Sequence, residues 1–327
     1  MRILKVAALL AILTPAVHGG KDVSYDPLVV PDGAKAAVHD LEVRDAGRDR
    51  EIPVRVYLPA GKGSHPVVLF SHGLGGSREN NAYVARHWAQ RGYAVVAMQH
   101  AGSDEHVWRG VPAAQRRDAM KRAASGESFT ARAGDVKAVL DQLTRWNGDG
   151  GHLLHGRLDL EKVGMSGHSF GAVTTQAVSG QSFGKFGPRF TDERIDAALA
   201  FSPSPPGRGD PQAAFGKVST PWMLMTGTRD TSLVVQRTTP EKRRHVYTHL
   251  PDGDKYELVL HNAEHMAFSD RTLRGGEHRN PNHHKVIRAL STAFWDAHLR
   301  GDPAAKGWLR GDGPRGLMEE KDLWRLK

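Results

Sequence analysis

Gly167, Ser169 and Gly171 form a G-x-S-x-G pattern inside VGMSGHSFGA, residues 163–172. The chemistry available at such a pattern is nucleophilic: a strand turns sharply into a helix and lifts the serine hydroxyl to the top of the bend. A hydroxyl attacks a carbonyl only when a base removes its proton, and the base needs an acid to orient it. In this arrangement the partners follow the serine in the order acid, then histidine. Asp230 stands in TRDTS after the apolar run PWMLMTG, and His265 stands in NAEHMAF after YELVLH. Both positions fall where a strand ends. Asp254, in the PDGDK turn before a strand, is less suited, and His261 is the alternative base, still inside the apolar run.

The tetrahedral intermediate requires hydrogen-bond donors for its oxyanion. The backbone N–H of Phe170, directly after the serine, is one candidate, and the N–H of Leu74 in FSHGLGGS is the other. His72 and His168 are read as structural hydrogen-bonders. The histidine pairs HNAEH (261–265) and His283–His284 lack the order or the projection of a metal-binding helix, so no metal is expected.

These residues need a scaffold. EIPVRVYL alternates Ile52, Val54, Val56 and Leu58 with outward residues, and with VHDLEVRD before it predicts an antiparallel opening hairpin. HPVVLF (65–70) and YAVVAM (93–98) read as strands covered on both faces, with a helix between them capped by Ser77 and stopped at Gly92. Strand, helix, strand implies a right-handed parallel crossover. Val136, Val139, Leu140 and Leu143 make one helix face before LEKVGM, the strand that feeds Ser169. FGAVTTQAV is then a helix, IDAALAFS, PWMLMTG and YELVLH are strands, and a last helix covers about 282–299. The fold class expected is α/β: a mostly parallel, doubly wound sheet with an antiparallel N-terminal hairpin, in one catalytic domain over 20–327. Residues 102–130, with Trp108 and a short helix, interrupt the rhythm at a strand end and read either as a cap-like insertion or as a surface excursion. Trp108, Phe201 and Met266 are apolar residues near strand ends, with core roles as apt as pocket roles.

The first nineteen residues place Arg2 and Lys5 before an apolar run from Val6 to Leu13, too short to span a bilayer. They read as a cleaved secretory signal ending near Gly19, which makes the protein exported, periplasmic or extracellular. Loss of Arg2 and Lys5 takes the formal charge of +9 to +7. No long basic block accompanies it; KRRH at 242–245 reads as a solvated face, so nucleic acid is not an expected partner. Zero cysteines exclude disulfides, thiol catalysis and thiolate metal sites.

FSHGLGGSRE, GSDE, RAGDVKAVLDQL, GHSFGA, TGTRD and NAEHMAF together resemble bacterial α/β-hydrolases of the platelet-activating factor acetylhydrolase-like and dienelactone hydrolase-related group, over about residues 38–300. The resemblance implies Ser169, Asp230 and His265 as a triad, Leu74 and Phe170 as the oxyanion hole, and no cofactor. True dienelactone hydrolases use a cysteine nucleophile, and related cutinase-like enzymes usually carry a disulfide; neither is available here. The expectation is a serine hydrolase of carboxylic esters, with short acyl groups favoured by the acetylhydrolase likeness and small-molecule esters and water as its partners. A serine peptidase or polyester hydrolase of the same fold and a non-catalytic binding protein are the alternatives. The first lacks a recognisable gating domain, and the last would be expected to have lost part of the constellation.

Overall fold

The computed structural model describes residues 25–207, 209–232, 238–270 and 280–327; the leader read at 1–19 lies outside them. The N-terminal alternation becomes a hairpin of β1 (Ala36–Asp45) and β2 (Arg50–Pro59), paired antiparallel. Asp45 accepts from the Gly47 and Arg48 amides in the turn, and Ile52, Val54 and Val56 are fully buried. β3 (His65–Ser71), α1 (Ala82–Gln90) and β4 (Ala94–Met98) then form the parallel crossover. The helix starts later than the Ser77 reading placed it. The Asp270 carboxylate takes the amides of Asn81 (2.9 Å) and Ala82 (2.7 Å), so a residue far along the chain caps α1. Ser77 instead accepts from Glu79 within the preceding turn.

The excursion after β4 contains α2 (Ala113–Ala123) and leads into the long α3 (Gly126–Gly148), which Ser125 caps through the Ser128 amide. The expected apolar face of α3 is buried at Val136, Val139, Leu140 and Leu143. β5 (Leu158–His168), α4 (Phe170–Val178), β6 (Ile195–Phe201), α5 (Pro211–Phe215) and β7 (Trp222–Arg229) continue the alternation. After them come α6 (Pro240–His249), β8 (Lys255–Glu264), α7 (Pro281–Leu299), α8 (Pro303–Arg310) and β9 (Leu323–Leu326). Among the described residues, nine strands lie in the order β1-β2-β4-β3-β5-β6-β7-β8-β9. From β4 to β8 every pairing is parallel; β1, β2 and β9 are antiparallel to their neighbours. The α/β reading therefore holds, with one addition at the far edge.

Each face of the sheet carries its own core. On one, Trp88 of α1 meets Trp295 of α7 edge to face at 5.7 Å; on the other, α3 packs its apolar stripe on Val67, Val96 and Met165. Each such fully buried large side chain stabilises the fold by roughly 1.5–3 kcal/mol. Because the central strands are parallel, their carboxyl ends share one edge, and Ser169, Asp230 and His265 follow β5, β7 and β8 on that edge.

Candidate active site

Ser169 has φ 58° and ψ −111°, a conformation that costs a non-glycine residue about 1–3 kcal/mol. The surroundings enforce it. The Ser169 amide bonds to the Phe201 carbonyl at 2.9 Å, and α4 begins at the next residue. A Cβ on Gly171 would sit on the Ser71 carbonyl, and one on Gly167 would strike both Gly171 and Ser71. The two glycines are thus required by close backbone approach rather than by their own torsions.

His265 Nε2 lies 2.9 Å from Ser169 Oγ, and its Nδ1 lies 2.7 Å from Asp230 Oδ1. Asp230 is fully buried, and its other oxygen accepts from the Thr226 hydroxyl at 2.9 Å. Burial alone would raise its pKa, but the His265 hydrogen bond and the charges of His265 and Arg243 outweigh it and hold the carboxyl at about 2. A charged Asp230 requires Nδ1 to carry a proton, which leaves Nε2 free to accept the serine proton. His261 sits within β8, its amide bound to Asp322 at 2.7 Å; chain direction sends the following turn, not the strand, back toward Ser169.

The opposite side is built by the loop after β3. Gly73 packs against Ser169: a Cβ there would lie 3.5 Å from that of the serine. Gly75 and Gly76 commit their amides to the carbonyls of Ser103 (2.9 Å) and Gly73 (3.0 Å). The Leu74 amide has no acceptor among the described residues, and Phe170, as the first residue of α4, has no intrahelical acceptor for its own. His72 is a structural group: Nδ1 donates to the Gly73 carbonyl at 2.6 Å and Nε2 accepts the His100 amide at 3.1 Å. His168 donates to the His265 carbonyl at 3.1 Å, with the two rings 4.7 Å apart. It therefore lies within the site, behind the imidazole. Burial, followed by the nearby His265 charge, pulls its pKa down to about 3.

Two arginines complete the arrangement, and neither was singled out from the sequence. Arg132 of α3, fully buried, donates to the His72 carbonyl (2.7 Å) and the Ser103 hydroxyl (2.8 Å), and its guanidinium lies 4.4 Å from the Phe170 ring centre. Arg243 of α6 is 1 % exposed and contacts Asp230. The reading of KRRH as a solvated face is corrected here: Lys242 and His245 are exposed, but Arg243 shares the buried side of α6 with Val246 and Tyr247, three and four residues on. That i, i+3, i+4 register was the available signal.

The excursion reaches the site. The Trp108 indole donates to the Gly75 carbonyl at 2.7 Å, and Trp108 and Met120 occupy the space a Gly75 side chain would need. A cavity of about 530 Å³ opens beside Phe170, walled by Phe129, Phe183, Val173, Ser204 and Pro205. Gln176 clasps Ser204 by both amide atoms, donating to its carbonyl (2.8 Å) and accepting its amide (3.0 Å). Phe201 is core, packed between Phe70 and Phe268.

Residues 53–111 match the family model described as platelet-activating factor acetylhydrolase, isoform II. That stretch runs from β2 through the Leu74 loop to Trp108. A solved structure of a ferulic acid esterase from Streptomyces cinnamoneus is 21% identical, covers 86% of this chain and 94% of that chain, and superposes with a TM-score of 0.60, which fixes the fold. No curated protein matches.

Proposed function

We propose that this platelet-activating factor acetylhydrolase-like α/β-hydrolase, a carboxylic ester hydrolase, is an exported serine esterase acting through an acyl-enzyme. The carrying observation is the continuous hydrogen-bonded chain from Ser169 Oγ through His265 to the buried Asp230. Ser169 attacks the ester carbonyl while His265 Nε2 takes its proton, and Asp230 holds the ring and balances the imidazolium. The Leu74 and Phe170 amides receive the oxyanion. Collapse of the tetrahedral adduct expels the alcohol with the proton from Nε2; water then attacks the acyl-serine with His265 as base, releasing the acid and restoring the serine.

The acyl half is proposed to be short, following the acetylhydrolase likeness. The cavity beside Phe170 then receives the bulkier alcohol half. The Arg2/Lys5 leader and its apolar run support export.

The test is hydrolysis of p-nitrophenyl esters from acetate to palmitate, with Ser169→Ala as control. The expected result is a serine-dependent maximum at acetate or butyrate and a loss of at least about 10³-fold in kcat/KM in the variant. Full activity in Ser169→Ala would sink the mechanism. A maximum at long chains would keep the mechanism and move the acyl group into the cavity, and turnover of an aminoacyl anilide alone would make the enzyme a peptidase.

A further inference from the structure

Two nitrogen donors converge on one oxygen of Asp230. Its Oδ1 receives the imidazole at 2.7 Å and also lies 3.0 Å from Arg243 Nε, which donates in addition to the Asp230 carbonyl at 2.9 Å. Arg243 Nη1 donates to the carbonyls of Ser202 (2.8 Å) and Pro203 (2.9 Å), at the root of the loop whose next residues line the cavity. Nη2 lies 3.3 Å from His265 Nδ1. Since Nδ1 spends its proton on Asp230 and a guanidinium only donates, that last contact is a neighbouring positive charge rather than a hydrogen bond.

We propose that Arg243 is a positioning residue of the proton relay: it fixes the Asp230 carboxylate and the Ser202–Ser204 wall as one unit. The inference rests on the reading of Ser169, His265 and Asp230 as the catalytic set. The geometry ties three pieces of chain, the β6 end, the β7 end and the turn after β8, to one guanidinium. A carboxylate free to rotate would let the imidazole swing off Ser169, and a displacement of about 1 Å at such a site costs up to ~100-fold in rate.

Among the described residues, the other groups considered around His265 do not duplicate this role. His168 of β5 stands at 4.7 Å, is held neutral by burial and donates to the His265 carbonyl. Arg229 of β7 and Glu264 of β8 pair with each other at 3.8 Å, both more than half exposed and so well screened. His284 of α7 is engaged with the Ala267 carbonyl at 3.1 Å. Among the described residues, Arg243 is the buried cation in contact with the acid and imidazole.

The experiment compares kcat and KM at neutral pH for the full chain and for Arg243→Gln and Arg243→Lys, alongside Ser169→Ala, with folding checked by near-UV circular dichroism. In Arg243→Gln kcat is expected to fall about tenfold to 100-fold with KM within a factor of about three. Arg243→Lys should leave kcat low as well, because one ammonium cannot reach both carbonyls and the carboxylate. A wild-type kcat in folded Arg243→Gln, or a loss confined to KM, overturns the positioning role. If Arg243→Gln does not fold, Arg243→Lys decides alone: a wild-type kcat overturns the proposal. Activity in Ser169→Ala would instead remove the catalytic reading beneath it, so the two failures are separable.

Discussion

Two buried guanidiniums flank Ser169, and they are held by different chemistry. Arg132, on the oxyanion side, rests on the Phe170 ring and donates to the His72 carbonyl and the Ser103 hydroxyl. Its nearest acidic neighbour in the network, Asp135, is reached through His100, whose two ring nitrogens bridge Ser71 Oγ and Asp135 at 2.9 Å each. Asp135 is in turn saturated by Arg48 and Arg50. Arg243, on the acid side, touches its carboxylate directly. Burial draws the Arg132 pKa down to about 9, which still leaves it cationic at neutral pH. A guanidinium bound to neutral acceptors controls shape. One bound to the carboxylate that orients the imidazole reaches the acid itself.

Removing the common support should have the largest effect. Gly171→Ala drives a methyl group into the Ser71 carbonyl, where both sides of the site meet the elbow. The expected cost exceeds about 3 kcal/mol, seen as loss of soluble protein or a much lower Tm together with loss of phosphonate labelling at Ser169. Normal folding and labelling would show that the elbow can open by more than an ångström.

Next, Arg132→Met is expected to lower kcat/KM about tenfold to 100-fold, since an intact oxyanion donor is worth ~10²–10³ and here the donor is misplaced rather than deleted. A wild-type kcat/KM in folded Arg132→Met would remove the oxyanion-side role of this arginine.

The smallest effect concerns stability. His168, His100 and His298 are held neutral in the fold, with pKa values drawn by burial to about 3, 4 and 4. For each, the unfolded chain binds its proton first, so stability is highest above the ordinary histidine value of about 6.5 and declines as pH falls below it. Asp230 and Asp135, both held at about 2, act lower: their contribution is complete above about pH 4 and is lost toward pH 2. His168→Gln, which keeps a donor for the His265 carbonyl, should therefore lose less Tm between pH 6.5 and 5 than the wild type. The difference expected is about 1.6 kcal/mol, or ~2 °C. Parallel Tm curves for the two proteins would mean that His168 takes up its proton without unfolding.

Much of this was legible because each feature announces itself locally. FGAVTTQAV is a helix over the residues read as one, since small residues after the elbow leave it nothing else to be. Serine, acid and histidine each follow an apolar run, and a parallel sheet delivers all three run-ends to one edge. What escaped depends on partners distant in sequence. The start of α1 is set by Asp270, 189 residues beyond Asn81. β9 has only four residues, too few for a period to show, and exists by pairing with β8. Arg243 looks like its exposed neighbours until α6 is docked and one side of KRRH is closed from water. The α8 start, by contrast, is written locally, as Asp302 accepting two amides ahead of Pro303.

The contacts between Arg243 and the Ser202 and Pro203 carbonyls set a limit on how this enzyme can diversify. These two are made to main chain, and only Ser204 adds a side-chain contact, at 3.4 Å, so the side chains at 205 and 206 are open to exchange, and substrate range can drift there by point substitution. The length of that segment is not open. An insertion or deletion before residue 204 would displace the carbonyls and, through one guanidinium, the acid itself. New specificities should therefore arise in this lineage by repainting the wall of the cavity, and variants that rebuild it by changing loop length should be inactive until a second change at position 243 releases the coupling.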